Sequence, residues 1–466
     1  MRAPRPGKPI CCALACILLA PGLFGAPRFI GVLWASEIDD NRDYQALVSY
    51  LGGRASLPHE ELSMASRAKV TLLGGDNCPA AFASYRVLSG PEEIARGRSF
   101  ADGSFFLYPD RSAHAANAPR FRLEASARGA ASVVEASLPG AGETVLHIGD
   151  PRPVPSPLSV DLVLVVDTTS SMGPYLPALG SSIAKALEAL SGQAPGMSLR
   201  VGLVLFRDRG EAYLTQSLPL TRDRAAILKA LERAEAERGG DEPEALGDGL
   251  EAALRLFGGE ESVRLVFAFT DAPPKLSAAS GIASYARACE SALSSGVRLY
   301  TVGMGDVKPE AEYGLRQIAA YTGAAYLNAG SATAAASRVE AGSSLRGELS
   351  GMIARLVAAE ASSVATGEGN RDPALALLDS VQAKMAALLA YPEAARRRGA
   401  EGTARIALSV APDGSLTKSR VASSSGSALL DAAALTLARS AFPIKNPAAA
   451  SVELEIAVGY RLESKE

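Results

Sequence analysis

The stretch DLVLVVDTTSSMGPYLPAL, Asp161–Leu179, decides the fold. Its apolar residues run unbroken from Leu162 to Val166 and stop at Asp167, and the next four residues, Thr168 to Ser171, all carry hydroxyls. An apolar run without polar alternation reads as a strand covered on both faces, the usual state of a parallel sheet flanked by helices. The same texture returns in LRVGLVLF, VRLVFAFT and VRLYTVGMG. Helical stretches separate these runs, namely YLPALGSSIAKALEALSG, RDRAAILKALERAEAE, EALGDGLEAALRLFGG and IASYARACESALSSG. Strands alternating with helices predict an α/β, doubly wound, mostly parallel sheet. EAYLTQSLPLT follows its strand closely enough to pair with it as an antiparallel edge.

Ligands of such sheets bind beyond the carboxyl ends of the strands. Asp167 ends the first strand and Asp271 ends VRLVFAFTD, so both carboxylates fall on one rim. Thr169 and Ser171 occupy alternate positions of the adjoining loop. Two carboxylates and two hydroxyls make an all-oxygen donor set suited to a hard divalent cation. The competing reading is that the four groups only hydrogen-bond their own loop.

VVDTTSSMG together with FAFTDAPP resembles the von Willebrand factor A domain and its metal-ion-dependent adhesion site, over about Ser159 to Ser350. The resemblance implies that Asp167, Thr169, Ser171 and Asp271 hold Mg²⁺, or Mn²⁺ or Ca²⁺. The hydroxyls would bind directly and the carboxylates mainly through water, with an acidic side chain of a protein partner completing the coordination. In the family a Thr from a further loop joins the site. Here that loop reads RGGDEPEAL and places Asp241 at the corresponding position. An acid there lowers the positive charge a partner meets, and Glu242 and Glu244 add repulsion. Asp241, Pro243 and Glu244 also spell a capping box for the next helix. Capping alone, and capping combined with metal binding, both remain open.

At 466 residues the chain exceeds one ordinary core, so several domains are expected. A net charge of −3, 6% aromatic residues and a single Trp give no footprint of a nucleic-acid partner. Arg2, Arg5 and Lys8 precede ICCALACILLAPGLFGA, the charged start and short apolar run of a secretory signal peptide. Ala26 and Ala35 are candidate cleavage points. An uncleaved inner-membrane anchor and lipidation at Cys16 are the alternatives, and all three place the protein in the periplasm or cell envelope. The signal or anchor is assigned to residues 1–35. Cys11, Cys12 and Cys16 lie within it, which leaves Cys78 and Cys289, expected as buried free thiols. His59, His114 and His147 show no ligand spacing, and no nucleophile–base motif is present, so no enzyme is expected.

Residues 37–65 show only a short helical pattern, DYQALVSYLGG. Residues 66–150 then carry short strands, KVTLLGG, ASYRVLSG, GSFFLYP, FRLEASARG, SVVEASLP and ETVLHIG, with Asp102-Gly103 as a hairpin signal. They predict a small β-sandwich. ADGSFFLYP followed by FRLEASARG resembles carboxypeptidase-regulatory-like sandwiches, which implies a spacer or adhesive module. A Pro-rich linker covers 151–158, and the α/β domain covers 159–350, its last part read as an Ala-rich helix. A helical linker follows over 351–390.

The last module, 391–466, offers Tyr391-Pro392, Gly399, Gly402, the turn Asp413-Gly414, the run SSSGSALLDAAAL and Phe442-Pro443. As a set these resemble the C-terminal domain of TonB-family proteins, a small α+β fold. In SVELEIAVGY, Val452, Leu454, Ile456 and Val458 share one face with Tyr460. The resemblance implies docking to an envelope or outer-membrane protein by strand addition, with this strand and those four residues as the expected partner-binding edge. The resulting expectation is an exported, metal-dependent protein-binding protein. A TonB-type energy-transducing component of outer-membrane transport is the alternative.

Overall fold

The computed structural model describes residues 32–108, 121–136, 142–193, 196–237, 242–277, 281–330, 344–366 and 373–460. Among these, eleven strands form one sheet. Its order is Thr215–Thr221, Met197–Phe206, Leu158–Asp167, Val263–Thr270, Val297–Met304, Tyr326–Gly330, Trp34–Ile38, Ser344–Glu348, Val452–Tyr460, Gly402–Val410 and Leu416–Ser423. The five strands from Met197–Phe206 to Tyr326–Gly330 run parallel, and the remaining pairings are antiparallel. Thr215–Thr221 is the expected antiparallel edge.

The strand Leu158–Asp167 shows why its sequence lacks alternation. Leu162, Leu164 and Val166 enter one apolar core, while Val163 and Val165 enter another on the opposite face. Helix Leu176–Gln193 covers the first face through Leu179, Ile183 and Leu187. Helices Leu246–Leu254, Tyr285–Ser294 and Pro309–Tyr321 cover the second, the last of them not anticipated from the sequence. Gly249 permits the close approach of its helix, because a Cβ there would lie 3.0 Å from Val165 Cγ1.

The described strands between Ala68 and His147 form two further sheets. One contains Ser104–Leu107, Ala68–Leu73 and Gly142–His147, the other Glu92–Arg98, Ser84–Ser89, Phe121–Ala127 and Ala130–Ala136. They share a core in which Tyr85 stacks on Phe105 at 3.8 Å. Asp102-Gly103, with Gly103 at φ +77°, is not a hairpin within one sheet. It turns the chain from one sheet to the other, and Asp102 then binds Arg298 of the large sheet at 2.9 Å. Arg298 also meets Glu360 at 3.0 Å on helix Leu349–Thr366, so a buried charge cluster joins the two regions.

Three expectations need correction. Trp34 and Ala35, assigned to the leader, belong to a strand paired on both sides, and cleavage after Ala35 would cut it. Residues 344–348, read as helix, form the strand beside it. Cys78 is exposed, whereas Cys289 is buried as expected.

A carboxylate and hydroxyl site at the carboxyl rim of the sheet

Asp167 is fully buried at the end of its strand, opposite Phe206 of the neighbouring strand. Its Oδ1 accepts from the Thr169 N–H at 2.9 Å, an Asx-type turn that bends the chain out of the sheet. The same oxygen accepts from Thr169 Oγ1 at 2.7 Å. Thr169 Oγ1 lies 3.3 Å from Ser171 Oγ, which donates to Asp271 Oδ1 at 2.9 Å. The four predicted residues Asp167, Thr169, Ser171 and Asp271 thus form one hydrogen-bonded chain across two strand ends. Thr168 turns the other way, towards the Phe206 carbonyl and the Tyr213 hydroxyl.

Thr270, which the sequence reading left without a role, donates to Asp167 Oδ2 at 2.7 Å. Glu244 was assigned to a capping box, but helix Leu246–Leu254 has Ala245 as its N-cap, with no side-chain capping bond. Glu244 is instead 3% exposed and held by its backbone, its N–H donating to the Pro273 carbonyl and its carbonyl accepting from Lys275. Oε2 of Glu244 and Oδ1 of Asp208 are buried without a hydrogen-bond partner among the described residues. Asp241 lies outside the described residues.

The electrostatics follow from this burial. Asp167 is pushed up to about 7, chiefly by removal from water, with the charge of Asp271 adding to the rise. Burial also raises Asp271. Glu244 is pushed up to about 9 by burial, then by the charges of Asp167 and Asp208. Lys275 pairs with Asp208, and Lys308 with Glu242 at 2.5 Å. The rim therefore has more buried carboxyl groups than cations to match them, and its donors are all oxygen. That chemistry fits a hard divalent ion. Among the described residues no three carboxylate, imidazole or thiol groups converge as a ligand set, so the hydroxyls of Thr169 and Ser171 are integral to the fit.

The expected partner-binding residues are placed elsewhere. Val452, Leu454, Ile456 and Val458 are all buried in the core, and their strand is an inner one, flanked by Gly402–Val410 and by Ser344–Glu348. That strand is not an open edge, because Ser344–Glu348, a strand where a helix is expected, occupies it.

Fold and site together define an α/β domain with an oxygen-lined rim, continued by a small α+β domain. Residues 161–337 match the family model of the von Willebrand factor type A domain, and residues 387–462 match that of the Gram-negative bacterial TonB protein C-terminal. The chain is a multidomain protein that carries both domains, preceded by a sheet-rich N-terminal region. It is 29% identical over 115 residues to an ariadne-like RING finger protein of Acanthamoeba polyphaga mimivirus, a match over 25% of this chain. The match spans only 11% of the length of that curated relative. Among solved structures, the TonB C-terminal domain of Helicobacter pylori is 29% identical, covers 19% of this chain and 84% of its own, and has a TM-score of 0.18. An aerotolerance-related membrane protein of Bacteroides fragilis is 21% identical, covers 36% of this chain and 90% of its own, with a TM-score of 0.27. The two matched domains support a protein-interaction role in the cell envelope. No helix among the described residues is long and apolar enough to cross a membrane.

Proposed function

We propose that the von Willebrand factor A domain captures a protein ligand through a divalent cation, Mg²⁺ or alternatively Mn²⁺ or Ca²⁺, held by Asp167, Thr169, Ser171 and Asp271. The observation that carries this reading is the unbroken hydrogen-bonded chain of those four side chains at the sheet's carboxyl rim. Glu244 Oε2 and Asp208 Oδ1, buried without a hydrogen-bond partner among the described residues, support the reading, because a cation at the rim would ease the cost of burying carboxyl oxygens that the protein's own groups leave unsatisfied. A bound cation supplies an electrophilic position for a carboxylate of the partner. Asp167 and Thr270 fix the loop, and Thr169 and Ser171 present their hydroxyl oxygens.

The proposal is of a binding protein and not an enzyme. The hydroxyls of Thr169, Ser171 and Thr270 are engaged with carboxylates, and the described imidazoles, His59 and His147, bond to the carbonyls of Leu57 and Gly74. The positively charged start followed by a short apolar run supports export beyond the inner membrane.

Calorimetric titration of the full chain with each cation tests the site. One-site binding is expected, lost in Asp167→Ala with an unchanged circular dichroism spectrum. Absence of binding in millimolar Mg²⁺, Mn²⁺ and Ca²⁺ would remove the metal-dependent reading. Asp241→Thr sharpens the test: if Asp241 contributes charge to the site, the variant should bind acidic partners more tightly.

A further inference from the structure

The C-terminal domain taken alone is a three-stranded sheet with outer strands Leu416–Ser423 and Val452–Tyr460. These two edges differ in how they are guarded. Leu416–Ser423 carries exposed Lys418 and Arg420, and its pairing with Gly402–Val410 shifts register at two places. Edge cations and register irregularities are common defences against unwanted strand pairing. Val452–Tyr460 has neither: it pairs with Gly402–Val410 over nine residues without a shift, and it contains no Lys, Arg or Pro. Such an edge is adhesive unless something covers it. What covers it is a strand of the same chain.

Ser344–Glu348 pairs antiparallel with it through Ser344↔Glu455, Leu345↔Leu454 and Arg346↔Glu453. Leu345, 2% exposed, enters the same apolar core as Leu454. Arg346 Nη1 lies 3.8 Å from Glu455 Oε2, and Arg405 donates to Glu455 Oε1 at 3.2 Å from the other side. One buried carboxylate thus pins three strands. The covering strand is held to its other neighbour, Trp34–Ile38, by only three pairs as well. This five-residue strand is the narrowest junction in the large sheet.

We propose that Ser344–Glu348 is an internal strand ligand that closes the adhesive edge of the TonB-type domain. A partner enters only by exchanging with it, offering an extended segment with an apolar residue opposite Leu454 and a cation beside Glu455. Main-chain pairing provides the attraction, and the apolar–basic pair provides the selection. The proposal is independent of the metal site, which lies at the end of a different strand.

The test uses the full chain and a fluorescent peptide copying residues 344–350, SLRGELS, followed by anisotropy. Wild-type protein is expected to show no binding at peptide concentrations that saturate Leu345→Pro or Arg346→Glu, each of which should loosen the internal strand. The same peptide with Glu in place of its Arg should bind these variants at least tenfold more weakly. Amide exchange adds a second readout. The amides of Glu453–Glu455 that face the internal strand should exchange at least a hundredfold faster in the variants and slow again with peptide. Equal peptide binding by wild type and variants would overturn the proposal, showing an edge already open. Folded variants that do not bind would also overturn it. If Leu345→Pro fails to fold, Arg346→Glu and wild-type exchange decide. Wild-type amides at Glu453–Glu455 exchanging as fast as the amide of Asp413 in the exposed turn would refute closure.

Discussion

Leu158–Asp167 and Val452–Tyr460 belong to one sheet, and both are paired on either side, but they end up with opposite roles. The first has parallel neighbours on both sides, and its carboxyl end projects a loop whose oxygens remain at the rim. The second has antiparallel neighbours, and the face and edge expected to meet a partner are filled by the chain itself. Parallel pairing leaves a strand's end available because the chain must depart there into a long crossover. Antiparallel pairing leaves only the strand's side, and any spare segment can cover a side. An inner apolar strand therefore says where a site lies in the first case and nothing about access in the second.

The largest expected effect breaks the closed strand. Glu455→Ala would leave Arg346 and Arg405 buried without their shared carboxylate, a loss of about 3–5 kcal/mol by analogy with disrupted buried ion pairs. Denaturant unfolding measures it. Because Leu454 and Leu164 belong to one apolar core, a single transition is expected for the region spanning both domains. Two separate transitions would show that the strands compared above belong to independent units.

The next effect lies at the rim. Glu244 holds its proton in the fold up to about 9, while an unfolded Glu releases it near 4.5. Between those values the folded state binds more protons than the unfolded state. In chelator, Glu244 should therefore make stability fall as pH rises through this window, by up to about 1.4 kcal/mol per pH unit, with the raised Asp167 and Asp271 adding to the fall in its lower part. Glu244→Gln removes that group's share. Its melting temperature should match wild type near pH 4.5 and exceed it increasingly towards pH 9, and parallel curves would exclude the buried carboxyl as the cause.

The smallest effect is expected at the guarded edge. Lys418→Ala removes an exposed cation from a strand already protected by other means, and should change stability by less than about 0.5 kcal/mol. Sedimentation should show no new oligomer. Self-association of this variant would mean that the charge, not the register shifts, guards Leu416–Ser423.

Legibility from the sequence follows the same contrast. Leu162–Val166 could be read because a strand between parallel neighbours buries both faces, and its following oxygens alternate within a few residues. The turn at Asp413-Gly414 could be read because Gly414 adopts φ +84° between two paired strands. Ser344–Glu348 could not, since a five-residue strand with a polar start shows no period, and its partners are set by distant pairing. Trp34–Ile38 was hidden by the apolar texture it shares with a leader. Glu244 is hidden by a local pattern that serves equally well for capping from Asp241, whereas the helix starts at Leu246 with Ala245 as its N-cap.

The position of Trp34–Ile38 has a consequence in time as well as in space. Its two neighbours, Tyr326–Gly330 and Ser344–Glu348, are made about 300 residues after it. At ribosomal speeds of 5–20 residues per second, that is a wait of roughly 15–60 s. Throughout that interval a short apolar segment with Ala35 destined for the core has no partner to pair with. Trp34–Ile38, the first strand among the described residues, thus stays unpaired on both sides until those neighbours exist, and the pairings of Val452–Tyr460 at the far end of the sheet form later still.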